Sequence, residues 1–300
     1  MPSRSSRMRL GRFEGIQPTA FFLPMKTNDT TTSVQCVAHS SDGTEIAYWK
    51  SGNGPALILV HGTAADHTRW KPVLFELGAN FTVYAVDRRG SGSSTHETQP
   101  YALAREFEDI AAVVDAVYTD TGEAPSLLGH SHGAICSLEA SLLTPHLKKL
   151  ILYEPPIPAG PQNSSSEVVS RLEKLLQEGN REEVVSTFMR EIVRLPEGQL
   201  RLLQSLPGWE GRVAAAHTIV REVKEPSKQY SLRPEKFHTM RVPTLLLLGG
   251  ASRTYFKTVI DLVHKALPSS QVAVLAGQQH AAMDTGKEIF LRPVLEFLAP

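Results

Sequence analysis

Two hydrophobic periods alternate along most of the chain. Val34–Ala38 and Glu45–Lys50 are rich in β-forming residues and flank the turn cluster Ser41-Asp42-Gly43-Thr44, which predicts a hairpin. Ala56–Val60, entered through Gly52-Asn53-Gly54-Pro55, is an unbroken apolar run, the pattern of a strand buried on both faces. Trp70, Val73, Leu74 and Leu77 then recur at helical spacing, and Thr82–Val86 reads as the next strand. Phe107, Ile110, Ala111, Val114, Val117 and Tyr118 outline a long amphipathic helix. Strand Ser126–Gly129, helix His132–Leu143 and strand Leu150–Tyr153 follow.

From Pro156 the texture changes. Residues 157–241 contain no convincing strand; Val168, Val169, Leu172, Leu175 and Leu176 predict one amphipathic helix, and Val184, Val185, Phe188, Ile192 and Leu195 a second. Val213, Ala216, Val220 and Val223 suggest another, with Pro207, Pro226 and Pro234 as punctuation. Alternation resumes with strand Thr244–Leu248, a helix through Val259, Val263 and Leu267, strand Gln271–Leu275 and a last helix from about Gly286 to Leu298. This order predicts an α/β fold with a mostly parallel, roughly eight-stranded sheet covered by helices on both faces. Residues 25–156 and 242–300 would form its core, and the helical block 157–241 an insertion between two strands.

Composition narrows the function classes. The 300 residues carry 31 Lys+Arg and 31 Asp+Glu, a formal net charge of zero that disfavours nucleic-acid binding. Two cysteines, Cys36 and Cys136, are too few for a disulfide framework or zinc finger and suit a reducing compartment. No run reaches the roughly 18–20 apolar residues of a membrane helix, so a cytoplasmic protein acting on a small molecule is expected, its oligomeric state open. The first 24 residues hold Arg4, Arg7, Arg9 and Arg12 with a single acid, Glu14, and no sustained period. A disordered tail, an organelle transit peptide and a start codon placed too far upstream all fit them.

The chemistry concentrates in Gly129-His130-Ser131-His132-Gly133, a G-x-S-x-G between a predicted strand and helix. Such a turn presents a serine hydroxyl, with glycines where a β-carbon would collide with the neighbouring backbone. The helix behind it favours negative charge developing nearby. After the last strand, His280 sits on a Gly-entered loop, Gly277-Gln278-Gln279-His280, where an imidazole could serve as general base.

Together with Leu59-Val60-His61-Gly62-Thr63 and Asp87-Arg88-Arg89-Gly90-Ser91-Gly92-Ser93-Ser94, these motifs resemble the α/β-hydrolase fold superfamily over roughly residues 34–299, in order and spacing. The resemblance implies a lidded serine hydrolase of esterase or lactonase type, with Ser131 as nucleophile and His280 as base. The backbone amides of Thr63 and His132 would form the oxyanion hole, and block 157–241 the lid. Its triad acid is usually an Asp in a G-x-x-D after the strand following the lid, but here Ser252 holds that position. Glu154, immediately after the strand preceding the lid, is the substitute found in some lidded members. Asp261, or no acid at all, remains the alternative.

No cofactor or metal is expected. His61-x4-Asp66-His67 faintly resembles a metallohydrolase cluster but lacks the intermediate His, and His130 and His132 are explained by the elbow. Asp87 reads as a strand-end carboxylate pinning a Gly/Ser turn. The expected substrate is a neutral or weakly anionic, largely apolar ester or lactone. Carbon–carbon bond hydrolysis, cofactor-free peroxidation and non-catalytic ligand binding are the alternatives.

Overall fold

The computed structural model describes residues 33–95, 100–159, 166–206, 208–224 and 230–300. The N-terminal stretch 1–24 lies outside them. Eight strands, β1 (Val34–His39), β2 (Glu45–Gly52), β3 (Ala56–Val60), β4 (Thr82–Val86), β5 (Ser126–His130), β6 (Lys149–Tyr153), β7 (Thr244–Gly249) and β8 (Ser270–Leu275), form one sheet. Its order is β1-β2-β4-β3-β5-β6-β7-β8. Strand β2 runs antiparallel to both neighbours, and the other pairings are parallel. The predicted strands agree to within one or two residues at each end.

Central strands β3 and β5 are buried at every position, as their unbroken apolar runs require. Alternation sends Ile58 and Val60 into one hydrophobic layer and Leu57 and Leu59 into the other. The first layer is covered by α2 (Leu103–Thr121) and α3 (His132–Ala140), and the second by α1 (Lys71–Gly78). Helix α3 is one turn shorter than its predicted span to Leu143.

Between β6 and β7 lie α4 (Ser166–Gln177), α5 (Arg181–Thr187), a π-helical turn (Phe188–Val193), α6 (Glu197–Gln204), α7 (Trp209–Ala214) and α8 (Ala216–Lys224). The helix expected through Leu195 therefore changes winding at Phe188 and stops at Arg194, which is left-handed (φ 59°). The apolar pattern around Val213–Val223 divides into α7 and α8 at Ala215. These helices bury their own cluster, including Leu172, Val184, Val185, Leu200, Trp209 and Ile219, which Ala64 of the sheet domain joins. The end of the inserted stretch behaves differently, since Tyr230, Phe237 and Met240 pack into the first sheet layer.

The chain closes with α9 (Thr254–Ala266) on the first layer, then, after β8, α10 (Ala282–Thr285) and α11 (Lys287–Leu298) on the second. Among the described residues no helix is long and apolar enough to cross a membrane.

Candidate active site

The carboxyl ends of β3, β5, β7 and β8 open onto one cavity of about 470 Å³. Ser131 stands between β5 and α3 with φ 56° and ψ −126°, a conformation that a residue with a β-carbon adopts only when its surroundings impose it. Its amide donates to the Tyr153 carbonyl at 2.9 Å, tying the turn to β6. The glycines around it are steric necessities. A β-carbon on Gly133 would sit 2.5 Å from the Val60 carbonyl oxygen, and one on Gly62 would sit 2.8 Å from Ser131 Cβ. The Gly62 loop therefore lies against the serine side chain.

His280 shares the cavity with Ser131. Its Nδ1–H donates to Glu154 Oε2 at 2.7 Å, which leaves Nε2 with its lone pair. Glu154 is fully buried at the end of β6, and its other oxygen accepts the Gly249 amide of β7 at 2.7 Å. Like Ser131 it is held at positive φ (44°). Three side chains fix the His280 loop. Tyr153 donates its hydroxyl to the Gln279 carbonyl and accepts the Ala282 amide at 3.2 Å. His130 donates Nε2–H to the His280 carbonyl at 2.8 Å, and Phe256 stacks on the His280 ring at 4.7 Å between centroids. Burial, reinforced by the neighbouring His280, holds His130 well below the ordinary histidine range, so it is a neutral donor.

Two backbone amides neighbour the serine, that of His132 next to it in the chain and that of Thr63 beside Gly62 on the facing loop. His132 opens α3, where a first-turn amide has no intrahelical partner. The Thr63 amide donates to no acceptor among the described residues. His61 braces this loop: its Nδ1–H donates to the Gly62 carbonyl at 2.8 Å, and its Nε2 accepts the Arg88 amide at 3.0 Å.

Comparison with known proteins matches this architecture. The family model of the alpha/beta hydrolase family covers residues 57–292. The chain belongs to that family. An alpha/beta hydrolase from Sphaerobacter thermophilus is 32% identical with a TM-score of 0.75, the match covering 88% of this chain and all of that one. The esterase RhEst1 from a Rhodococcus species is 25% identical with a TM-score of 0.66, over 88% of this chain and 99% of that one. The 2-(acetamidomethylene)succinate hydrolase of Mesorhizobium japonicum is 22% identical, over 83% of this chain and 90% of its own length.

Within this alpha/beta hydrolase the two candidate acids part company. Asp261 lies on α9 with half its side chain exposed, engaged with Lys257 at 2.7 Å. Glu154 is the carboxylate that reaches His280. Asp87 pins its turn by accepting the Ser93 amide at 2.9 Å, Trp49 Nε1–H at 3.1 Å and the His67 amide at 2.7 Å.

Among the described residues two groups of metal-ligating residue types also assemble, each with its ligand atoms within 4.8 Å of one another. His67 and Asp87 are hydrogen-bonded to each other, and Asp66 caps the 3-10 turn His67–Trp70 by accepting the Thr68 amide. Glu106, His132 and Cys136 lie beside the Arg88 guanidinium, whose Nε is 3.2 Å from Glu106 Oε2. That positive charge holds Glu106 well below its usual range against the opposing effect of burial, and disfavours a second cation there. Sequence reasoning did not identify the positioning roles of Tyr153 and His130. Tyr153 read as a strand end and His130 as elbow filler, because their partners are 126 and 150 residues away.

Proposed function

We propose that this alpha/beta hydrolase is a serine hydrolase acting through an acyl-enzyme on Ser131. The observation that carries the reading is the buried Glu154–His280 hydrogen bond opening onto the cavity that holds Ser131. His280 Nε2 takes the Ser131 proton as the hydroxyl attacks a carbonyl, while Glu154 fixes the imidazole tautomer and stabilises the imidazolium. The Thr63 and His132 amides receive the oxyanion, and their preorganisation is the largest single source of rate in such sites. His280 returns the proton to the leaving group, and water activated by the same imidazole releases the acyl group.

The substrate class is a small, largely apolar ester or lactone, because Phe188, Met189, Val193, Leu195, Leu202 and Phe256 wall the cavity. The esterase and the 2-(acetamidomethylene)succinate hydrolase among the relatives are consistent with carbonyl chemistry. Block 157–241 acts as the lid over the core formed by 25–156 and 242–300. Treating the protein with a fluorophosphonate and mapping the adduct tests the mechanism. A single adduct on Ser131, absent from Ser131→Ala, is expected; ester turnover undiminished in Ser131→Ala would overturn it.

A further inference from the structure

The charge of the cavity differs from that of the chain. Among the described residues Arg69, Arg194, Arg212 and Arg253 all line it, against a single carboxylate, Asp284. Asp284 is already committed, since both its oxygens meet the Arg69 guanidinium at 2.9 Å. Arg194 and Arg253 are exposed. Arg212 is the unusual one. It projects from α7 and donates Nη1–H to the Ala64 carbonyl at 3.1 Å, leaving the rest of its fork without a protein partner among the described residues. Asp66 lies under α7, close enough that a β-carbon on Gly211 would sit 2.7 Å from its Oδ2. However, Asp66 Oδ1 accepts the Thr68 amide at 2.8 Å, and Asp66 does not line the cavity. Burial, with Arg69 beside it, pushes the Arg212 guanidinium down to about 10, so it stays charged at neutral pH in a place that disfavours charge. An anion bound against it would relieve that cost.

Ala64 follows Thr63 directly, so the fork of Arg212 lies next to the loop that offers the oxyanion amide. An anion held there would share the cavity with a carbonyl placed at Ser131. Around it the walls are apolar.

We propose that the substrate carries a carboxylate bound by Arg212, with Arg194 and Arg253 drawing it in at the rim. Its chemical class is the half-ester of a short dicarboxylic acid, with an apolar alcohol. This rests on the Ser131 reading for the bond that is cut. Ser131 displaces the alcohol, which leaves with the proton from His280, and water then cleaves the serine ester to release the dicarboxylate. The preference for a carboxylate sharpens the broader expectation of a neutral or weakly anionic substrate. The overall charge of block 157–241 is near neutral, and overall charge does not report where Arg212 points.

The test compares monomethyl glutarate with methyl valerate, which differ by a carboxylate in place of a methyl group, using pH-stat kinetics. Wild type should favour the anionic ester in kcat/KM by about 10- to 100-fold, the range of one or two charge-assisted hydrogen bonds. Arg212→Met should collapse that ratio toward one, and Arg212→Lys should retain part of it. Equal turnover of both esters by wild type, or an unchanged ratio in Arg212→Met, overturns the proposal. Calorimetry with glutarate on the Ser131→Ala protein reads the anion site without chemistry. Binding weakened at least tenfold by the added Arg212→Met supports the site even if Ser131 fails to label, whereas no glutarate binding by a protein whose Ser131 labels sinks the anion site alone. If Arg212→Met fails to fold by circular dichroism, the wild-type ratio and glutarate binding decide.

Discussion

The cavity has two walls built on different principles. On the sheet side, position is imposed by covalent geometry and close approach. Ser131 and Glu154 are both held at positive φ, and Gly133 admits no β-carbon against β3. On the side of the inserted helices, position comes from side-chain packing on a separate hydrophobic cluster and from a few polar ties to the core. Arg88 bridges Glu106 of α2 and Glu222 of α8, all three buried. Arg221 donates to the Arg89 carbonyl at 2.5 Å, and Arg212 to that of Ala64 at 3.1 Å. On the function proposed above the difference separates tasks: the reacting groups sit where backbone conformation and close approach fix them, and the recognising groups sit on elements attached by replaceable contacts.

The sharpest way to test the sheet side is to neutralise its carboxylate. Glu154→Gln should lower kcat by about 10⁴-fold, since the amide no longer holds the correct imidazole tautomer. Asp261→Asn should change it less than about twofold, being an exposed substitution away from the site. Equal losses in stopped-flow ester turnover would dissolve the distinction between the two carboxylates.

Arg88→Met tests the ties instead. It strands two buried carboxylates and should cost about 3–5 kcal/mol in urea unfolding. Adding Glu222→Gln should recover part of that loss, because one stranded charge is then removed. A cost below 1 kcal/mol would mean that apolar packing alone seats the helices.

The smallest effect is graded with pH. Burial pushes His61 down to about 4 in the folded state, and both its nitrogens are satisfied only as the neutral ring. The unfolded chain takes up that proton near the ordinary value of about 6.5 while the folded chain does not. Stability should therefore be full above pH 6.5 and decline as pH falls toward 4, with His130 acting in the same direction. Glu106 and Glu222 are held below the ordinary carboxylate value, Arg88 opposing the effect of burial on each, so they add a loss only at lower pH. Their contribution is complete above about 4.5 and disappears as pH falls through their folded values. Urea midpoints taken from pH 7.5 down to 4.5 check the order; a midpoint flat from pH 7.5 to 5 would contradict the histidine assignment.

The sheet was legible in the sequence because a buried strand leaves a short, largely apolar run, as Ala56–Val60 and Thr82–Val86 did with the same bounds in the structure. The inserted helices were legible in part. Helix α6 escaped notice: its one fully buried apolar residue, Leu200, leaves Leu202 exposed, so the stripe is too thin to show a period. Ser131 and His280 stood in short local motifs, and the structure brings both to one cavity. Glu154 was the favoured acid, but Asp261 or no acid at all stayed open beside it, since its contact with His280 spans 126 residues. Arg212 carried no signal at all, because its significance depends on the absence of a partner, which only the fold can reveal.

Taking the histidine's carboxylate partner from β6 has a consequence for the next strand. Gly249 at the end of β7 contributes a backbone amide to Glu154, a contact indifferent to side-chain identity. Ala251, Ser252 and Arg253 line the cavity immediately beyond it, with none of them hydrogen-bonded to His280. On the proposed mechanism that loop takes no part in proton transfer and is available as a tuning position. Libraries randomised at 251–253 should yield variants of altered substrate preference at a higher rate than libraries at 153–155, where the Glu154 carboxylate admits little change.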